Sequence, residues 1–308
     1  MKQFSFASSA GGCTLAAYCT ETEQPRALVQ ISHGMCEYFL RYKGFAEYLS
    51  SNGFLVFGHD HLGHGRSVSA PEELGFTVSG GGADALVEDL SRLALKFKED
   101  YPGLPIILLG HSMGSFLARD ALARYSDVWQ AAIVMGTAGP DMPTSAGKLL
   151  ASCLIALRGE RYRAPLLRKI SFAGYNKRYE KGCDENAWLS RDGEVVRRYH
   201  EDPLCGFLFT VRAYHDLFTV LGRVSRKDWA TKLQKELPLL LVSGENDPVG
   251  GWGKGVEKLS RRLFEAGLSK MTFKLYPDMR HEILNELSYQ TVWEDLLLWM
   301  QKSVLSPN

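Results

Sequence analysis

At 308 residues, with 45% hydrophobic and 23% charged side chains, the chain reads as an ordinary globular protein able to bury a large core in one domain or two. Lys and Arg total 36 against 35 Asp and Glu, so no global charge bias points to nucleic acid or an anionic membrane. No run of about twenty apolar residues offers a membrane span, the N-terminal residues lack the apolar stretch of a secretory signal, and the six scattered cysteines suit free thiols in a reducing cytoplasm.

In chain order, a hairpin is expected first, from a segment around Phe4–Ser8 and from Thr14–Cys19, punctuated by Gly11-Gly12. Ala27–Ser32, Phe54–Gly58, Ile106–Gly110 and Ala131–Met135 then have the length and continuity of buried parallel strands. Between them, Tyr42–Ser51, Asp84–Glu99 and Met113–Tyr125 carry apolar residues at helical spacing. After Gly139-Pro140 the rhythm breaks, and from Asp141 to Trp229 only helical or irregular pieces rich in Arg, Lys and aromatics follow. Strand patterns return at Leu239–Ser243 and Thr272–Tyr276, with helices at Gly255–Ala266 and Tyr289–Gln301. This order predicts an α/β fold, a mostly parallel central sheet with helices on both faces. Residues 1–140 and 230–308 form its core, and 141–229 a helical cap inserted after a late core strand, since both flanks are needed to complete the sheet.

Gly110-His111-Ser112-Met113-Gly114 fits G-x-S-x-G, between a buried strand pattern and a helix pattern. That is the setting of a nucleophile elbow, where glycines leave room for a sharp turn and the helix start aims free N–H groups at a developing oxyanion. A serine that merely caps a helix is the bland alternative. A serine nucleophile needs a base and an acid that orients it. Asp247 follows the Leu239–Ser243 strand, with Glu245 its nearest competitor and Asp278 less well placed; Asp247-Pro248 is also a simple turn signal. Of the eight histidines, His281 follows the last strand and reaches the same end of the sheet, whereas His200 and His215 fall in the insertion and His111 inside the elbow. Ser112, Asp247 and His281 are therefore the candidate triad. Met113 and Met35, the latter in the loop after Ala27–Ser32, are the candidate amide donors of an oxyanion hole. Cys36 adjoins Met35, so a bulky thiol reagent is expected to disturb that loop.

Two metal-like patterns fail on inspection. His59-Asp60-His61-Leu62-Gly63-His64 has Gly63 where a dinuclear H-x-H-x-D-H site needs Asp, and His281-Glu282-Ile283-Leu284-Asn285 ends in Asn instead of His. Neither a metal nor any other cofactor is expected.

The segments SHGMCEYFLRY, FGHDHLGHGRS, EDYPGLPIILLGHSMG and YPDMRHEILNE resemble the monoacylglycerol lipase and lysophospholipase-like branch of the α/β-hydrolases, the serine aminopeptidase S33-type enzymes. The resemblance implies the α/β-hydrolase fold, the same triad and oxyanion donors, and a headgroup role for Glu37 and Arg41, whose alternative is a structural ion pair. Cys36, Tyr38 and Ser115 depart from the family pattern. The expected activity is serine carboxylic-ester hydrolysis of monoacylglycerols, lysophospholipids or related small lipid esters. An aminopeptidase-type amide hydrolase and a ligand-binding receptor that retains the triad are the competing readings. The first part of the cap mixes apolar with basic residues, as either a lid that touches lipid aggregates or a pocket wall.

Overall fold

The computed structural model describes residues 1–141 and 144–305. Its sheet is built from β1 (Lys2–Ala7), β2 (Thr14–Cys19), β3 (Ala27–Ser32), β4 (Phe54–His59), β5 (Ile106–His111), β6 (Ala131–Met135), β7 (Leu239–Gly244) and β8 (Met271–Tyr276). The spatial order is β1-β2-β4-β3-β5-β6-β7-β8. The β1–β2 hairpin pairs antiparallel and lies antiparallel against β4, and every pairing from β4 to β8 is parallel.

The inner strands β3 to β7 are buried at every residue, which is why their sequences run apolar instead of alternating. Successive side chains enter opposite layers. Leu28 and Leu108 join one core with α2 (Gly82–Asp100), α3 (Met113–Arg124) and α8 (Lys254–Glu265). Val29 and Leu109 join the other with α1 (Lys43–Ser51) and α9 (Tyr289–Val304). Helix α1 starts one residue later than its pattern suggests, because Phe39–Tyr42 forms a 3-10 turn.

Between β6 and β7 the chain forms α4 (Thr144–Arg158), α5 (Pro165–Ser171), α6 (Gly193–Glu201) and α7 (Val211–Ser225). Helix α7 packs on α2 and α3 as well as on α4, and its Val220 and Val224 are fully buried in the first core. This part of the insertion is thus built into the body of the molecule. Among the described residues, no helix is long and apolar enough to cross a membrane.

Candidate active site

The parallel strands deliver their C-terminal ends to one edge of the sheet, where open α/β sheets place their working residues. Ser112 stands between β5 and α3 with φ 53° and ψ −122°, a conformation that costs a non-glycine residue about 1–3 kcal/mol. The two flanking glycines make it geometrically accessible. A Cβ on Gly110 would lie 2.4 Å from the Gly114 carbonyl oxygen, and one on Gly114 would lie 2.0 Å from that of Ser32. Ser115 donates its hydroxyl to the Ser112 carbonyl, so this departure from the family pattern closes the elbow instead of opening it.

Asp247 is fully buried in the loop after β7, where its carboxylate accepts from His281 Nδ1 at 2.9 Å, Ser243 Oγ at 3.1 Å and the Val249 amide at 2.8 Å. The competing carboxylates, Glu245 and Asp278, are exposed. His281 is positioned from the insertion: its amide donates to the Trp188 carbonyl, the Glu282 amide to Leu189, and the Trp188 ring lies 4.9 Å from the imidazole. Ser112 and His281 line the same cavity, and among the described residues no hydrogen bond joins them. Such contacts commonly tighten only when substrate is bound. Among the described residues the amides of Met35 and Met113 have no acceptor either, so both donors are available beside Ser112.

Behind the oxyanion loop lies a buried charge network that sequence alone does not assemble. Glu37 accepts from the Gly34 amide, from Arg41 and, at 2.7 Å, from Tyr42 Oη. Arg41 also grips Glu282 through two 2.7 Å bonds, and Glu282 directly follows His281. His111 meets Tyr42 Oη at 2.7 Å through Nδ1 and the His281 carbonyl at 3.3 Å through Nε2. Tyr42 has one proton and gives it to Glu37, so both His111 nitrogens face acceptors, and only the imidazolium satisfies both. Burial alone would lower the His111 pKa, but Glu37 overrides it and holds the group above its ordinary value. Likewise burial pushes the Glu37 carboxyl up, and Arg41 with His111 pulls it well below the ordinary carboxylate range. Glu37 and Arg41 therefore form an ion pair and also line the cavity, which places the structural and headgroup readings on the same residues.

The remaining departures from the family pattern tie this loop to the insertion. Cys36 has φ 55°, where glycine is the natural occupant, and is held by its carbonyl accepting from the Gly206 amide and Tyr199 Oη. Its Sγ donates to the Phe207 carbonyl at 3.0 Å, and Tyr38 Oη donates to Asp202 at 2.6 Å. Cys36 is buried, and burial pushes its thiol pKa far up. The expected thiol sensitivity at Cys36 therefore loses its physical basis, and exposed Cys153 is the thiol a reagent meets first.

The His59, His61 and His64 cluster packs with His33 beneath the same loop, with His33 and His61 ring centroids 4.1 Å apart. Burial pushes His59 and His64 down to about 3; His61 Nε2 meets Ser32 Oγ and His64 Nδ1 meets the Leu62 carbonyl, while the His59 ring packs edge-on against Phe6. Among the described residues no three His, Cys, Asp or Glu side chains converge as metal ligands.

The cavity over Ser112 has a volume of about 420 Å³. Its lining is mostly apolar, with Phe116, Leu217, Phe218, Leu221 and Val249 among it, and also carries Glu37, Arg41 and Glu282. A mostly apolar pocket with a few convergent polar groups suits an acyl chain joined to a small polar alcohol.

Comparison with known proteins agrees with this chemistry. The serine aminopeptidase S33 family matches residues 23–288. The monoacylglycerol lipase of Mycolicibacterium smegmatis is 30% identical over 97% of this chain and 96% of its own length. The Homo sapiens monoglyceride lipase is 30% identical over 92% and 86% respectively. A thermostable carboxyl esterase from Bacillus coagulans, solved in complex with glycerol, superposes with a TM-score of 0.92 at 28% identity, covering 98% of each chain.

Proposed function

The chain belongs to the serine aminopeptidase S33 family of α/β-hydrolases, and from that premise we propose that it hydrolyses small lipid esters, monoacylglycerols foremost, through an acyl-enzyme on Ser112. The observation that carries this reading is the Asp247–His281 hydrogen bond, with His281 lining the same cavity as a strained Ser112 and as Met35 and Met113, whose amides have no partner among the described residues.

In the proposed reaction His281 Nε2 takes the Ser112 proton as Oγ attacks the ester carbonyl. Asp247, bonded to Nδ1, fixes the tautomer and stabilises the imidazolium that forms. The amides of Met35 and Met113 receive the oxyanion, each donor being worth about 3–4 kcal/mol in the transition state. Imidazolium then protonates the departing alcohol, and the same base activates water to release the fatty acid. Residues 141–229 act as the cap, since Gly147, Phe172, Leu217 and Phe218 from this segment line the cavity and would select the acyl chain. Leu149 and Leu157, 67% and 78% exposed on α4, give the cap an apolar outer surface for transient contact with lipid aggregates. Six free thiols suit a cytoplasmic protein.

The aminopeptidase reading is weaker. It needs a carboxylate free to receive a substrate ammonium, whereas Glu37 and Glu282 in the cavity lining are both engaged by Arg41, and Glu185, also in the lining, pairs with Arg168. The deciding experiment is a panel of p-nitrophenyl esters of graded length, monoacylglycerols, lysophospholipids and aminoacyl amides. The proposal expects the highest kcat/KM on a monoacylglycerol. Faster turnover of the aminoacyl amides would overturn it.

A further inference from the structure

Asp247 and His281 reach each other from separate loops, after β7 and β8, so the geometry of their hydrogen bond depends on how those loops are held. One link between the loops is internal: the Asn246 amide donates to the Met279 carbonyl at 2.9 Å. A second comes from the insertion. Between α5 and α6 its chain runs through residues 172–192 without a regular helix, and the Asn176 side chain closes this stretch on itself by donating to the Asp184 and Glu185 carbonyls at 3.0 and 2.9 Å.

Within that stretch Tyr179 touches both triad loops. Its hydroxyl donates at 2.7 Å to the carbonyl of Asn246, the residue before Asp247. The guanidinium of Arg280, the residue before His281, lies 4.1 Å from the Tyr179 ring centroid, a cation held over an aromatic face. The same guanidinium donates to the Ala187 and Ser190 carbonyls at 2.6 and 3.1 Å, bracketing Trp188 and Leu189, whose carbonyls receive the His281 and Glu282 amides. Beside Tyr179, Lys177 and Arg178 place their cations 4.3 and 4.4 Å from the Trp252 ring centroid, and the Trp252 amide donates to the Asp247 carbonyl at 2.8 Å. Tyr179 itself lies outside the lining of the cavity over Ser112, so its effect on the reaction runs through these loops.

We propose that Tyr179 is a positioning residue for the triad: through Asn246 and Arg280 it fixes the separation and tilt of Asp247 and His281, so that the insertion sets the rate of the chemical step as well as covering the substrate. This rests on the triad reading of Ser112, Asp247 and His281. Reactive geometry is steep in distance, a misplacement of about 1 Å costing about a hundredfold in rate. A tyrosine that merely anchored the insertion would instead alter substrate binding and leave the chemical step alone.

The test measures an acetyl ester too small to need the acyl pocket, a medium-chain monoacylglycerol, and the rate at which a short-chain fluorophosphonate labels Ser112, in wild type, Tyr179→Leu and Tyr179→Phe. Turnover is counted per Ser112 site labelled at completion, so unfolded protein does not enter. Tyr179→Leu removes both links and should lower kcat on the acetyl ester by about thirtyfold to a hundredfold, with KM within about twofold and labelling slowed in parallel. Tyr179→Phe keeps the ring over Arg280 and loses only the bond to Asn246, so its kcat should fall by about threefold to tenfold. This milder variant decides the matter if Tyr179→Leu does not fold. If wild type labels at Ser112 but turns over neither ester, the ester-hydrolase reading fails and the labelling rates alone judge the positioning. A drop in acetyl-ester kcat or in labelling rate supports the proposal. Both within about twofold of wild type, whatever happens to KM for the monoacylglycerol, would make Tyr179 an anchor of the insertion and overturn it.

Discussion

Replacing Glu37 by Gln tests whether the buried charge network positions the Met35 amide or merely fills space. Gln preserves the shape and one carbonyl acceptor for the Gly34 amide and Tyr42, but it removes the charge facing Arg41 and His111. Breaking a buried ion pair costs about 3–5 kcal/mol, and because Arg41 keeps both bonds to Glu282 the lower end applies, about 3 kcal/mol. For a chain of this size about 1 kcal/mol moves Tm by roughly 2 °C, so the melt should fall by about 6 °C. The kinetic effect is separable. Complete loss of one oxyanion donor costs about a hundredfold or more in kcat, so a loosened Met35 amide should lower kcat by about tenfold to a hundredfold, with KM for a short ester little changed.

The pH dependence of stability fixes the sign. Glu37 has a depressed folded pKa, so its contribution is present above the unfolded carboxylate value of about 4.3 and is lost as pH falls through the folded value. His111 has a raised folded pKa, so its contribution is full below about pH 6.5 and is lost as pH rises through the folded value. Glu37→Gln should therefore blunt both the acid-side and the alkaline-side fall of Tm, read from thermal melts across pH alongside kcat on an acetyl ester. A lowered Tm with kcat untouched would refute the positioning argument and leave the network a purely structural one.

Asp247→Asn should leave the fold intact and lower kcat by about a thousandfold or more, since an amide in place of the carboxylate presents His281 Nδ1 with the wrong hydrogen-bond chemistry; a loss under tenfold in ester kinetics would contradict the triad assignment. Brief maleimide treatment should modify Cys153 and leave Cys36 unmodified, with ester activity retained; peptide mapping that finds Cys36 labelled first would show the loop to be open. Phe218→Ala should raise the ratio of long-chain to acetyl ester turnover by about tenfold, because Phe218 packs over Gly147 in the cavity wall; equal effects on all chain lengths would place this residue outside the acyl path.

The sheet was readable from the chain because β3 to β7 are buried on both faces and so appear as uninterrupted apolar runs. Ser112, Asp247 and His281 each follow one of the parallel strands, so their meeting at one edge follows from strand direction alone. The hairpin at the sheet's edge was less sharply bounded: β1 is largely exposed, spans Lys2–Ala7, and carries little apolar signal. What the chain does not reveal is convergence over long separations. Glu282 pairs with Arg41, although as a sequence motif it reads only as a broken zinc-protease pattern. Glu286, fully buried, accepts from the Arg280 amide close by and from the Arg191 amide far away in sequence, and so ties the His281 loop to the insertion. Trp188 and Leu189 act through backbone carbonyls, which no side-chain pattern announces. The cap's aromatics were visible as a composition, but which of them face Ser112 depends on the packing of α7 against α2 and α3. Cys36 shows the opposite case: its neighbour Met35 suggested reactivity, and only burial and the left-handed backbone reveal it as a structural residue.

The most direct measurement of the central claim is site-resolved labelling with a fluorophosphonate, which forms a covalent bond only with an activated serine. Peptide mass mapping of the wild type should find the phosphonyl adduct on Ser112, with ester hydrolysis lost in proportion to labelling. Ser112→Ala should melt close to wild type, remain unlabelled and release no fatty acid. An adduct on another residue, or undiminished labelling and turnover in Ser112→Ala, would contradict the account at its root.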